Sequence, residues 1–190
     1  TGRQRLRLSA LGTDPGVYRL ALAGGSQQFA GLKEPIRDGL SQHCLSRRKA
    51  IMSTSVVSMG ERFVPSVNGW SEANRRMFYG NYRWACQFTE GKVVLDCACG
   101  SGYGTDILTE GSLQVVGADT DTAIVQYAQG HYQNERNRFE VFSATQIPYP
   151  DDYFDVVVSF DTIEHVEDGE AVLTEFRRVT KSNGQIIIST

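Results

Sequence analysis

At 190 residues, with 41% hydrophobic and 22% charged residues, the chain is long enough for one α/β core plus an appendage but not for two large domains. A net charge of −3 excludes a general attraction to nucleic acid or to an anionic membrane surface. Four cysteines in a chain of this size make no secreted disulfide framework, so a reducing, cytoplasmic setting is expected.

The first 51 residues are rich in Gly, Ser, Gln and Arg and show no clear period of 2 or 3.6, which predicts loop or disorder. Residues 1–60 carry nine Lys/Arg against three Asp/Glu, and residues 61–190 ten against nineteen. The basic residues (Arg3, Arg5, Arg7, Arg19, Arg47, Arg48, Lys49) are scattered, so a nucleic-acid arm is not expected. The apolar run Leu20–Gly25 is too short for a membrane span or a signal segment. The chain opens on Thr1 rather than Met and closes on Thr190 inside an apolar run. Both ends look cut, and two readings stand for the N-terminal segment. Either Met52 or Met59 is the natural start and residues 1–51 are foreign to the domain, or residues 1–51 are a genuine, poorly patterned N-terminal extension.

From Gly60 the pattern sharpens. Ser71 followed by Asn74 has the form of a helix cap, and aromatics and Arg at helical spacing predict a helix through residues 71–88. Residues 52–90 then form a helical lead-in, either a lid with Arg62 and Tyr82 its best cofactor contacts or an amphipathic helix that covers the sheet edge, and residues 91–190 the core. Strand VVLDC (93–97) is followed by a helix over about 103–110, strand QVVGA (114–118) and a helix from near Thr120 with Ile124, Val125 and Ala128 on one face. Next come strands at 138–143 and 154–160, and a helix over 169–180 with Val172, Phe176 and Val179 inward. A Ser182-Asn183-Gly184 turn and a final strand QIIIST end the chain. Strands that alternate with helices, several of them continuously apolar, predict a doubly wound, Rossmann-like α/β fold whose parallel sheet is covered on both faces. If nothing follows Thr190, the last strand is left as a bare apolar edge that promotes self-association.

The first strand runs into Gly100-Ser101-Gly102-Tyr103-Gly104-Thr105. A dinucleotide site wants a third glycine where Thr105 stands, and its pyrophosphate would be repelled by Asp96 across a low-dielectric crevice. A ligand carrying both a cation and an anion suits the acid better. S-adenosyl-L-methionine is such a ligand: its carboxylate can use backbone N–H groups of the turn while Asp96 faces its ammonium, directly or through water. Asp119, nineteen residues beyond Gly100 at the end of the second strand, suits a ribose diol. That feature fits NAD equally, but together with Asp96 it favours adenosylmethionine. Cys97 and Cys99 lack a second ligand pair at zinc spacing and are expected to pack as small apolar groups, while His43 and His131 are expected at the surface.

The segments VVLDCACGSGYGT, VVGADTDTAIVQYA, IPYPDDYFDVVVSFDTIEHVED and FRRVTKSNGQIIIST together resemble the class I S-adenosylmethionine-dependent methyltransferases. They are most similar to the small-molecule branch of the ubiquinone-biosynthesis O-methyltransferase type. The resemblance covers about residues 60–190 and implies a sheet of seven strands, of which the last two, an antiparallel hairpin, would be missing here. It also implies cofactor-binding roles. Asp96, Ala98, Gly100 and Gly102 would line the methionine end and Asp119 the ribose. Thr120, Ser143 and Ala144 would lie at the adenine, and Phe160 would contribute backbone. Ala98 replaces the family's usual first glycine, an exchange expected to cost little. Ser143 stands where an acid is common and offers a hydroxyl without charge.

Methyl transfer asks chiefly for positioning, and for a base only where the acceptor must lose a proton. Asp161, Glu164 and His165 at i, i+3 and i+4 would share one face of a helical turn. Relatives with a similar motif are thought to hold a divalent metal there. The leading alternative is that Asp161 and Glu164 cap the next helix while His165 packs locally; His165 as general base is the third reading. The sequence therefore predicts a methyltransferase acting on a small-molecule acceptor. The alternatives are a dinucleotide-dependent oxidoreductase and a degenerate cofactor-binding module without activity.

Overall fold

The computed structural model describes residues 7–10, 17–21, 64–65 and 71–189. The chain divides into two compact units, residues 1–24 with 61–190, and residues 25–60. The second lies outside the described residues.

The heart of the first unit is a parallel sheet of five strands: β3 (Val93–Cys97), β4 (Gln114–Asp119), β5 (Asn137–Val141), β6 (Phe154–Ser159) and β7 (Thr180–Ser189). Their order is β7-β6-β3-β4-β5. The chain thus runs outward from β3 to β5 and then returns to place β6 on the other side of β3. In such a sheet the reversal opens a crevice at the carboxyl ends of the central strands, and β3 ends at Cys97 just where the glycine-rich turn begins.

Parallel strands covered on both faces must be apolar at successive positions, and these are. Leu95, Val116, Val157 and Ile186 face one layer, which α4 (Gly169–Val179) closes with Val172, Phe176 and Val179. Val94, Val115, Val156, Val158 and Ile187 face the other. There α1 (Glu72–Cys86) adds Tyr82 and Ala85, and α2 (Tyr103–Leu108) adds Tyr103 and Leu108. Complete burial of such side chains contributes about 1.5–3 kcal/mol each. In α3 (Thr122–Tyr132) the buried positions are Ile124, Val125 and Ala128. The helix starts follow from side-chain caps: Ser71 accepts from the Asn74 amide, Asp121 from those of Ala123 and Ile124, and Asp168 from that of Ala171. No helix among the described residues is long and apolar enough to cross a membrane.

Three expectations are corrected. Residues 7–10 and 17–21 are not loop: they form β1 (Arg7–Ala10) and β2 (Val17–Ala21), which pair antiparallel with each other. Strands of four and five residues are too short to raise a periodic signal in a longer window. The edge of β7 is not bare either. β2 pairs antiparallel along it, from Val17 opposite Ser189 to Ala21 opposite Gln185, so among the described residues the sheet has seven strands in the order β1-β2-β7-β6-β3-β4-β5. Finally, the Ser182-Asn183-Gly184 turn does not precede the last strand but bulges within it. Thr180 lies opposite Phe154 while Gln185 lies opposite Val156, so four residues are looped out of the ladder. Lys181 pairs with Asp155 at 2.7 Å across this bulge, and a Cβ on Gly184 would meet the Asp155 carbonyl oxygen at 2.8 Å.

Candidate functional site

After β3 the chain turns through three residues at positive φ, Ala98 (63°), Gly100 (53°) and Gly102 (85°), and enters α2. The Cys99 amide donates to the Ala118 carbonyl at 2.8 Å and ties the turn to β4. Each glycine answers a different need. A Cβ added to Gly100 would meet nothing within 4 Å, so that face of the turn is open. On Gly102 it would lie 2.6 Å from the Ala128 Cβ and 2.8 Å from the Phe139 ring, which is close packing against α3 and β5. On Gly104 it would overlap the ring of Tyr82. Ala98 is an L-residue in the left-handed region, a conformation that costs about 1–2 kcal/mol. The Ala-for-Gly exchange is therefore not the inexpensive one expected from size alone.

Asp96 lies beneath the turn, wholly buried. Thr105 Oγ1 donates to its Oδ2 at 2.6 Å and Tyr82 Oη to its Oδ1 at 3.2 Å. Burial pushes the Asp96 carboxyl up to about 7, against the pull of the Thr105 and Tyr82 hydroxyls and with a further push from Asp119. Asp119 ends β4 and is nearly buried. Its Oδ2 accepts from the Gly100 amide at 3.1 Å and its Oδ1 from the Asp121 amide at 3.0 Å. One side chain thus braces both the turn and the start of α3. A carboxylate has about four lone-pair sites, so the hydrogen bonds from Thr105 and Tyr82 do not exhaust Asp96.

Thr120 follows Asp119 and is exposed, and Ser143 and Ala144 are half-buried beyond β5. The Phe142 amide donates to the Asp119 carbonyl at 3.2 Å, which brings this segment beside the end of β4. Ser143 Oγ accepts from the Thr145 amide at 3.2 Å and shares a hydrogen bond with Thr145 Oγ1 at 2.8 Å. The loop after it is clamped by Arg178, which donates to the carbonyls of Ile147 (2.8 Å) and Tyr149 (2.7 Å) while pairing with Glu175 and Asp151. Sequence reasoning missed this clamp; its only trace was Glu175 and Arg178 at i, i+3 on one helix.

At the end of β6 the Phe160 ring meets Tyr82 edge-on, with centroids 5.0 Å apart. The Phe160 carbonyl accepts from Thr162 Oγ1 at 2.9 Å. Asp161 is at φ 50°, its amide donates to Ser189 Oγ at 3.1 Å, and its Oδ1 accepts from Ser189 Oγ at 2.8 Å. The expected shared helical face does not form. Only residues 163–165 make a single 3-10 turn, and Asp161 precedes it with its carboxylate directed to β7. Among the described residues no three His, Cys, Asp or Glu side chains are placed to hold a metal ion. Nor do Asp161 and Glu164 cap the next helix, because Asp168 does. Cys97 and Cys99 are buried, as expected, and burial pushes both thiols up. His131 is exposed and stacks on Tyr127 at 3.8 Å. Arg62, His43 and Cys44 lie outside the described residues.

The donor set itself discriminates between ligands. Two buried or nearly buried acids under neighbouring strand ends, with an open glycine face above, disfavour a pyrophosphate and suit a molecule that carries an ammonium and a vicinal diol. S-adenosyl-L-methionine has both groups, so the residues present fit it.

Comparison with known proteins agrees. Residues 95–188 match the methyltransferase domain family. A probable S-adenosylmethionine-dependent methyltransferase of Mycolicibacterium smegmatis is 32% identical over 134 residues, 69% of this chain and 50% of that protein. Phosphoethanolamine N-methyltransferase of Triticum aestivum is 37% identical over 102 residues, 52% of this chain and 20% of that protein. The PH0226 protein of Pyrococcus horikoshii superposes with a TM-score of 0.55 at 28% identity, over 62% of this chain and 58% of that one. The chain spans about half the length of the first two curated relatives that it matches.

Proposed function

We propose that this chain, whose residues 95–188 belong to the class I S-adenosylmethionine-dependent methyltransferases, transfers a methyl group from S-adenosyl-L-methionine to a small-molecule acceptor. The observation that carries the reading is the pair of acids, Asp96 and Asp119, at the ends of adjacent strands β3 and β4. When bound, the cofactor supplies a methyl already activated on a sulfonium. The chain's own task is then to hold and orient. Asp119 accepts the ribose hydroxyls while it keeps its bonds to the Gly100 and Asp121 amides. Asp96 faces the ammonium, directly or through water. Ala98, Gly100 and Gly102 shape the bed for the methionine end, Thr120, Ser143 and Ala144 border the adenine, and Phe160 contributes its backbone. His165, exposed on the 3-10 turn after β6, is one base available to an acceptor that must shed a proton.

A small acceptor is supported by the phosphoethanolamine N-methyltransferases among the relatives, whose substrate is small by name. Among the described residues, Cys86, Cys97 and Cys99 are free thiols in half-buried or buried settings, which suits a reducing cytoplasmic compartment. Calorimetry with adenosylmethionine and with NAD tests the cofactor. Binding of NAD in preference would overturn the proposal, and a screen of metabolites for methyl acceptance would then identify the substrate of a protein that passes.

A further inference from the structure

We infer that Tyr82 is a positioning residue of the cofactor site, reaching from α1 to hold the Asp96 carboxylate toward the cofactor's amino-acid end. The inference rests on the reading of Asp96 given above. The two residues are fourteen apart in sequence and belong to different elements, yet Tyr82 Oη donates to Asp96 Oδ1 at 3.2 Å in a buried setting. Thr105 Oγ1 takes the other oxygen at 2.6 Å, so both oxygens are fixed and the carboxylate cannot rotate freely.

The rest of the packing around Tyr82 is built to keep it there. Its ring meets Tyr103 edge-on at 5.3 Å and Phe160 at 5.0 Å, and it rests on Gly104, where a methyl group would displace it. The third glycine of the turn therefore makes room for a protein aromatic rather than for a ligand. Burial holds the Tyr82 hydroxyl far above its ordinary range, so it stays a donor at any working pH.

The direction of the effect follows from the charges that face Asp96. Tyr82 of α1 and Thr105 of α2 favour its ionised form by donating to it, whereas burial and Asp119 of β4 oppose it. Tyr103 of α2 and Cys97 and Cys99 beside Asp96 are neutral, their own ionisation discouraged by burial and by Asp96. An ammonium held near Asp96, directly or through water, favours the ionised carboxylate, so cofactor affinity should fall as pH drops through about 7, the value to which burial raises Asp96. Removing one donor should move that limb to higher pH.

The test is calorimetric binding of S-adenosylmethionine and of 5′-methylthioadenosine, which lacks the amino-acid end, between pH 5.5 and 8. Tyr82→Phe should weaken adenosylmethionine by roughly tenfold near neutrality, the scale of one hydrogen bond to a charged acceptor. It should move the acidic limb upward and leave methylthioadenosine binding unchanged. Gly104→Ala, which displaces the ring with its hydroxyl intact, should reproduce the selectivity, and thermal unfolding of each variant without ligand shows that it is folded when its binding is compared. Equal losses for both ligands, or no loss for either, would overturn the role of Tyr82. Asp96→Asn separates the layers: if it too shows no selective loss, the reading of Asp96 fails, and if it alone does, only Tyr82 falls.

Discussion

Replacing Asp96 by Asn should make the cofactor-free protein more stable at neutral pH, even though it damages the site. The reason is that the wild-type fold buries a carboxyl whose ordinary pKa of 3.8 is raised to about 7, chiefly by loss of water. Well below its ordinary pKa of 3.8 that group is protonated in the folded and unfolded chain alike. As pH rises the unfolded chain releases its proton first, while the folded protein holds it until about 7, so stability contributed by the neutral form is lost across this window. At about 1.4 kcal/mol per tenfold change in proton affinity, the loss is on the order of 4 kcal/mol. For a chain of this size that is roughly 10 °C in Tm. Asn keeps the shape without the titration. Scanning calorimetry of both proteins from pH 4.5 to 8 should therefore show the Tm of the variant gaining on that of wild type as pH rises. Asp155 and Glu175, which Lys181 and Arg178 hold ionised, work in the opposite direction in acid but are common to both proteins and cancel in the difference. Saturating adenosylmethionine should narrow the gap, because its ammonium gives the wild-type carboxylate a partner. Parallel curves for the two proteins would refute the argument.

Asp119→Ala should weaken adenosylmethionine and adenosylhomocysteine alike by about 1.5–3 kcal/mol, the worth of a lost charged acceptor; calorimetry showing unchanged affinity for both would remove Asp119 from the site. Ala98→Gly should raise stability by up to ~1 kcal/mol in denaturant unfolding, because relief of the left-handed strain outweighs the added backbone freedom of glycine. Millimolar Mg²⁺ or Zn²⁺ should leave Tm unchanged, since Asp161 is engaged with Ser189; a rise abolished by His165→Ala would show a metal site after all.

What the sequence disclosed and what it withheld differ by range of interaction. The helices and parallel strands of residues 71–181 were readable because each is set by its own caps and apolar period: Ser71 starts α1, and Val172, Phe176 and Val179 are the buried stripe of α4. Asp96 and Asp119 were readable as a pair because strand ends in a doubly wound sheet fall side by side. The partners of contacts between distant residues were not readable. Nothing in the local pattern joins Tyr82 to Gly104, or Arg178 to the carbonyl of Ile147. Asp161 misled because i, i+3, i+4 spacing implies a shared face only if the backbone is helical, and the chain there passes through positive φ.

The last strand shows how a local signal can be right about a side chain and silent about a partner. Ile186, Ile187 and Ile188 in succession mark a strand covered on both faces, and all three are buried. Such a strand is a poor edge, since an unpaired row of backbone groups beside an apolar surface invites another chain. A segment suited to pair beside such a strand is one of comparable length with turn chemistry next to it. Residues 7–10 and 17–21 qualify: they flank Asp14-Pro15-Gly16, a turn-forming run, and β2 lies antiparallel along five residues of β7. The composition that made the N-terminal segment look featureless was therefore averaged over too long a window. Asking which segment could complete the hydrogen bonding of β7 would have singled it out.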